Sequence, residues 1–414
     1  MGEGTSHRTD GSDQVYRENA VAAKQLTYVL ITPYTLFKSR TGGIIGRILA
    51  LSRNVQFVGA RMFAPSDEMI DKYLETLQYD NFPPEIREAL ARYVDTNCRR
   101  ENPFGITNRM MMLLFEGPDA VRSLREDVVG MLSTNMRGDT IRGTYGDYVL
   151  SRDKTVFFEP AVLMPTTTEA NRRQLKVLSD FAMTDGGILT NIVQYPAGAP
   201  VETTLVIIKP DNFAKRSSRP GNIIDVFSRT GLYIVSAKLL RFSREQAEEF
   251  YGPLRSIFVR KLSGQAADRA AKALGQTFNF EITEEMKGKL ADVLKEPNAD
   301  FEFRKIVSYM TGQDESGATL PLQERGKCVA MLYQGENAIA KIRQRLGSTN
   351  PKEAEEGTIR SLYGYDLMKN GAHASDSAEN AERERKIVGL WQEGASCESK
   401  DLIDKFLADE GKRS

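Results

Sequence analysis

The strongest constraint on how this chain can fold is a long internal repeat. "TYVLITPYTLFKSRTGGIIGRILALSRNVQFVGARMFAPS" (Thr27 to Ser66) is echoed by "TTLVIIKPDNFAKRSSRPGNIIDVFSRTGLYIVSAKLLRFS" (Thr203 to Ser243). "FEGPDAVRSLR" (Phe115 to Arg125) is echoed by "YQGENAIAKIR" (Tyr333 to Arg343), and "DTIRGTYGDYV" (Asp139 to Val149) by "GTIRSLYGYDL" (Gly357 to Leu367). A period near 200 residues is too long for a solenoid unit, so the pattern implies two tandem domains of one fold. Ile31 pairs with Ile208, an offset of 177, and Thr140 with Thr358, an offset of 218. The second copy therefore carries 41 extra residues, between about Tyr251 and Tyr333. That stretch holds "GQAADRAAKALGQ" and "TEEMKGKLADVLK", both with apolar residues three and four apart, and reads as a helical insert in a surface loop.

Each copy has the same coarse pattern. The β-branched runs "TYVLIT" and "TTLVIIK" read as buried strands, and "GGIIGRILALSRN" and "GNIIDVFSRTG" as amphipathic helices. "VQFVGARMFAP" and "LYIVSAKLLRFS" read as second strands, "RMMMLLFEG" and "CVAMLYQG" as third, each third strand leading to a helix near Asp119 or Asn337. With a further strand near Tyr145 or Tyr363, this approaches a βαββαβ, ferredoxin-like layout, with helices on one face of the sheet. Such a layout implies no function by itself.

Composition narrows the class. Apolar residues make up 41% and charged residues 27%, with 56 basic and 56 acidic side chains. A net charge of zero gives no global field toward nucleic acid or an anionic membrane, so any anion site must be a local cluster. Cys98, Cys328 and Cys397 are widely spaced and odd in number, which suits a reducing compartment rather than a disulfide framework. No run approaches the roughly 20 apolar residues of a membrane span, and the start "MGEGTSHRTDGSDQ" lacks a secretory core, so a cytoplasmic setting is expected.

There are two histidines. His7 lies in the polar start; His373 lies in "NGAHASDS". Taken alone, a histidine among small residues is better explained by core packing. Its surroundings change that. "LVIIKPD", "VAMLYQGENAI", "LGSTNP", "GTIR" and "NGAHASDSAENAE…GLW", in this order, resemble a nucleoside diphosphate kinase across nearly the whole second copy. The resemblance implies an α+β fold of two tandem ferredoxin-like (βαββαβ) nucleoside diphosphate kinase domains, antiparallel sheets with helices. It implies ping-pong transfer of the γ-phosphate of ATP, with Mg2+, to nucleoside diphosphates through phospho-His373. By the same resemblance Glu384 holds the other ring nitrogen, with Ser375 nearby. Arg343, Thr349 and Arg360 would contact phosphates, and Lys209 and Asn370 the ribose hydroxyl, the lysine also reaching phosphate. Tyr251 matches an active-site tyrosine. Phe303 is assigned to the base, although simple alignment puts Glu302 between Phe301 and Phe303, and Leu367 would cover the base's other face. "SDSAENAERERKIVGL" reads as a helix capped by Asp376, with Glu379 in capping-box spacing.

The first copy lacks these groups. Aligned simply, Thr32 stands opposite Lys209, Val162 opposite His373, Met164 opposite Ser375 and Glu159 opposite Asn370, while Arg125 and Arg142 match Arg343 and Arg360. A degenerate domain with a remnant anion site is expected. The organisation reads as an N-terminal tail (1–23), a degenerate domain (24–185), a Gly/Pro-rich linker (186–201), an active domain (202–395) with its insert at about 255–300, and a C-terminal helical tail (396–414). Partners would be ATP and nucleoside diphosphates, without membrane or nucleic acid, in a homo-oligomer or an intramolecular pseudo-dimer. The alternative function is a scaffold or regulatory protein that keeps the fold for assembly or nucleotide sensing.

Overall fold

The computed structural model describes residues 24–132, 138–151, 154–313, 325–391 and 397–412; the expected tail at 1–23, with His7, lies outside them. The first copy runs β1 (Lys24–Ile31), α1 (Pro33–Phe37), α2 (Thr41–Leu51), β2 (Gln56–Phe63), α3 (Asp67–Thr76), α4 (Pro84–Asn97), β3 (Met110–Pro118), α5 (Ala120–Leu124), α6 (Ile141–Tyr145), β4 (Asp147–Ser151), β5 (Lys154–Glu159), β6 (Val162–Leu163) and α7 (Thr168–Asp180). The second runs β7 (Val201–Ile208), α8 (Arg219–Ser228), β8 (Tyr233–Leu240), α9 (Arg244–Phe278), α10 (Glu284–Thr311), β9 (Cys328–Glu336), α11 (Ala338–Leu346), α12 (Ile359–Tyr363), β10 (Ala372–Ala374), α13 (Ala378–Ile387) and α14 (Glu398–Gly411).

Two antiparallel four-stranded sheets result, ordered β2-β3-β1-β6 and β8-β9-β7-β10. Both have the strand order of a ferredoxin-like βαββαβ unit, as expected. The repeat extends to register: Ile31 faces Met111 as Ile208 faces Val329. Even the bulge recurs, between Phe57 and Gly59 in one sheet and Ile234 and Ser236 in the other.

Two expectations are corrected. Tyr145 and Tyr363 end short helices, α6 and α12, capped by the Thr140 and Thr358 hydroxyls; the closing strands lie downstream, and β10 carries His373 itself. Helices also cover both faces of the first sheet. Val29 and Ile31 pack with Ile44 and Ile48 of α2, whereas Tyr28 and Leu30 pack with α3, α4 and α7. Strand side chains alternate between faces, so an unbroken apolar run such as "YVLI" requires cover on both.

The extra residues of the second copy do not form a separate loop insert. They lengthen two helices present in both copies: α3 and α4 span 10 and 14 residues, α9 and α10 span 35 and 28. Both "GQAADRAAKALGQ" and "TEEMKGKLADVLK" are helical, as read, but the helices begin before and end beyond 255–300.

The copies pack through equivalent elements, α2 on α8 and β2 beside β8, and one apolar core runs through both. Glycine makes the helix contact close: a Cβ on Gly221 would overlap the Gly42 carbonyl and the Gly46 nitrogen. The bulged edge of β8 is satisfied by the first copy and the linker, with Arg109 Nη1 donating to Ile234 O at 3.0 Å and linker Leu189 N to Val235 O at 2.8 Å. The expected C-terminal helix is present as α14 and returns to the first copy, where Ser399 donates to Ala60 O and Ile403 joins the core.

Candidate active site

Three-residue β10 pairs antiparallel with β7, setting His373 opposite Ile207. The chain reaches this strand through Gly371, whose φ of +84° favours glycine and whose carbonyl accepts from Lys209 N and Asn212 Nδ2. His373 is thereby fixed beside the end of β7. Its ring meets Phe250 edge-on at 5.0 Å and lies 6.3 Å from Tyr251, both at the start of α9.

His373 Nε2 lies 2.8 Å from Glu384 Oε2, which also accepts from Ser375 Oγ at 2.6 Å. Glu384 is 5% exposed, so it is no solvated helix carboxylate. Burial opposes its ionisation, but the His373 ring, the Ser375 hydroxyl and nearby Arg383 outweigh that and hold the carboxyl below its ordinary value. The helix that delivers Glu384 is capped by Ser377, whose hydroxyl accepts from Asn380 N, one residue later than the Asp376 cap expected. Asp376 instead accepts from the Asn380 side chain.

On the other side lies a connected run of donors. Lys209 Nζ donates to Asn370 Oδ1 at 2.7 Å and to Met368 O at 3.0 Å; Asn370 Nδ2 donates to Thr349 O; Arg360 Nη1 donates to Thr349 Oγ1 and to Gly347 O. Burial and the Arg360 charge push the Lys209 amine down to about 8. Burial and neighbouring Arg343 push Arg360 down to about 10. Burial is the larger cause in both, and the neighbouring cation adds to it, while Asp211 and Asp366 offset part of the shift at Lys209. The Tyr251 hydroxyl is buried with no hydrogen-bond partner among the described residues.

The predicted residues thus converge, with two exceptions. Phe303 is half-buried against the core, and Leu367 is exposed; Leu367 meets the cluster only through its backbone carbonyl, which accepts from Asn370, and neither side chain makes a described contact with it. Sequence reasoning missed Phe250 and Arg383. Phe250 adjoins Tyr251, and its aromatic character was the only signal. Arg383 donates to the Glu249 and Phe250 carbonyls, binding α13 to α9.

A family model described as nucleoside diphosphate kinase matches residues 202–263 and 294–390. A nucleoside diphosphate kinase of Persephonella marina is 34% identical over 184 residues, 44% of this chain and 90% of that protein. The chain belongs to the nucleoside diphosphate kinase family. The Methanocaldococcus jannaschii nucleoside diphosphate kinase is 32% identical over 186 residues, 45% of this chain and 91% of that protein. The solved Aquifex aeolicus nucleoside diphosphate kinase is 28% identical, covering 45% of this chain and 94% of its own, with a TM-score of 0.30. The family match lies wholly in the second copy, and its gap falls in the long helical hairpin.

The first copy shows what replaces a nucleoside diphosphate kinase site. Three contacts fix its register. Ala161 O accepts from Thr32 N as Gly371 O does from Lys209 N; Arg142 Nη2 reaches Val162 O as Arg360 Nη2 reaches Ala372 O; Val162 pairs with Ile31 as Ala372 pairs with Ile208. Leu163, not Val162, therefore stands opposite His373, and Pro160 and Pro165, not Glu159 and Met164, stand opposite Asn370 and Ser375. The helix caps Thr167 and Ser377 keep the same offset, which sets Gln174 opposite Glu384.

Nor does an open remnant anion site survive. Arg142 is fully buried beside Asp80, and Arg125 is spent on Thr166 O and Glu126. Gln174 joins Tyr28 to Asp80, and Glu159 accepts from Thr32, Tyr93 and Ala161 N. Carboxylates of the chain itself fill the pocket.

Proposed function

We propose that the chain is a nucleoside-diphosphate kinase: it moves the γ-phosphate of ATP onto nucleoside diphosphates by a ping-pong mechanism through phospho-His373. The observation that carries this reading is the two-sided setting of one imidazole. Glu384 engages Nε2 as hydrogen-bond acceptor, which fixes the proton there and leaves the Nδ1 lone pair for attack. Among the described residues no hydrogen bond occupies Nδ1.

In the first half-reaction Nδ1 attacks the γ-phosphorus, the bond to the β-phosphate bridging oxygen breaks, and ADP departs. In the second, a terminal oxygen of a nucleoside diphosphate attacks the phosphohistidine and the N–P bond breaks. Lys209, Arg343, Thr349 and Arg360 supply charge and donors to the transferring group, whose transition state needs positioning and electrostatic stabilisation more than bond-making groups. Asn370 orients Lys209 and meets the sugar. The one buried carboxylate at the histidine, Glu384, is committed to His373 and Ser375, so Mg2+ fits here as part of the substrate, carried on the nucleotide phosphates.

Incubation with Mg2+ and γ-labelled ATP should give one acid-labile, base-stable phosphate per chain at His373. His373→Ala should lose both the label and transfer to nucleoside diphosphates. Undiminished turnover in that variant would end the proposal.

A further inference from the structure

Away from the histidine, a cleft of 280 Å³ opens where the two copies meet. Arg53 of the first copy and Lys215, Arg216 and Lys327 of the second face it, and no acidic residue lines it. Arg53, Lys215 and Arg216 are exposed and Lys327 is half-buried. Among the described residues none of the four has an ion-pair partner; Arg216 makes one contact, donating to Ser52 O at 3.3 Å. Burial and the charge of Arg241 push the Lys327 amine down, so the surroundings add positive potential rather than cancel it. In a chain with 56 basic and 56 acidic residues, four uncompensated cations around one concavity are a deliberate local excess. A bound polyanion would find complementary charge on both sides of the cleft.

The floor is apolar, with half-buried Phe213 beside buried Phe57 and Phe115. A cleft this size with a cationic rim suits a small molecule carrying several negative charges, not a single halide or an uncharged metabolite. We infer that this cleft is a second anion site, distinct from the His373 site, which takes a small molecule bearing two or more linked phosphates. It lies between the copies, and each contributes part of the rim. It also communicates with the histidine side: Asn212 on its floor donates to Lys209 O at 3.0 Å and to Gly371 O at 2.7 Å.

The test is calorimetric titration of the full chain with sodium tripolyphosphate, in an Arg360→Ala background that weakens the histidine site. One molecule should bind per chain, more weakly as salt rises. Arg53→Ala with Arg216→Ala should weaken that binding about tenfold or more. Lys215→Glu, an exposed charge reversal, should do the same without altering the thermal melt. In an otherwise native chain these cleft variants should keep phosphotransfer, which separates this site from the histidine site. A parallel titration with ADP distinguishes the sources: displacement of tripolyphosphate by ADP identifies a nucleotide ligand, and failure to displace it identifies an inorganic phosphate chain. Absence of binding by either probe, or binding indifferent to all the cleft substitutions, overturns the inference.

Discussion

His373 and Leu163 occupy the same place on equivalent edge strands, and their neighbours differ to match: Glu384, Ser375 and Lys209 around one, Gln174, Pro165 and Thr32 around the other. Lys209 carries a pH signature. With its amine held near 8 by burial and Arg360, it loses its charge as pH rises through that value, and phosphate is held less well. Since kcat/KM reports the free enzyme, its pH profile should fall above about 8. Lys209→Arg, whose charge persists, should flatten that limb while lowering the rate; an unchanged limb would assign it elsewhere. Glu159 carries another. Burial raises its carboxyl from 4.5 to about 7, so folding takes up a proton in that window and stability falls as pH rises through it. Glu159→Gln keeps the hydrogen-bonding shape without the charge. Thermal melts should show it more stable by ~2 kcal/mol at pH 8, with no gain at pH 4. The side chains of the second-copy site were legible because their order along the chain is specific. The first copy was misread by one residue, because a simple alignment of "EPAVLMPTT" with "NGAHASDSA" does not see strand register, which only the Thr32, Arg142 and Ile31 contacts define.

Among the elements, long helices and the six longer strands of the two sheets were readable from apolar periodicity, whereas β6 and β10 were not. Strands of two and three residues have no period to detect. Their place is set by tertiary pairing with β1 and β7, whereas the sequence pattern points to Tyr145 and Tyr363. The helical hairpin was legible as helix but not as the growth of two existing helices, since its charged, weakly amphipathic surface gives no boundary. Small buried residues, Ala266, Ala267 and Ala271 of α9 and Ala299 of α10, let the helices pack, and half-exposed ion pairs of Arg255 with Glu296 and Asp300 cross between them. The α2–α8 contact depends instead on missing side chains. At Gly221 any Cβ meets backbone of Gly42 and Gly46, which cannot swing aside. Gly221→Ala should therefore force the helices apart and cost about 1–3 kcal/mol, typical of overpacking, despite alanine's better helix propensity. Chemical denaturation measures this; a stabilised variant would mean the copies are not held in the close packing described.

For the whole molecule, the question is why a copy without the histidine persists. Its pocket is closed by Asp80 and Glu159, so nucleotide sensing there has no room, but three of its surfaces are in use. Its α2 covers the glycine face of α8, its Arg109, together with linker Leu189, satisfies the bulged edge of β8, and its α7 and β2 receive α14, through Lys400, Asp404 and Ser179 as well as Ile403. An edge strand left with free carbonyls and an apolar helix face is prone to pair with another chain. The contact uses equivalent elements on both sides, so another His373-bearing copy could supply the same face, as in an isologous dimer. A chain starting at residue 195 should therefore self-associate through α8 and β8 or aggregate, with α14 undocked, whereas the full chain already satisfies that face internally. Light scattering of the two forms at matched concentration decides the point. If the truncated chain keeps the stoichiometry and melting temperature of the full chain, the first copy is not there to cover the second, and its retention rests on the cleft the two copies share.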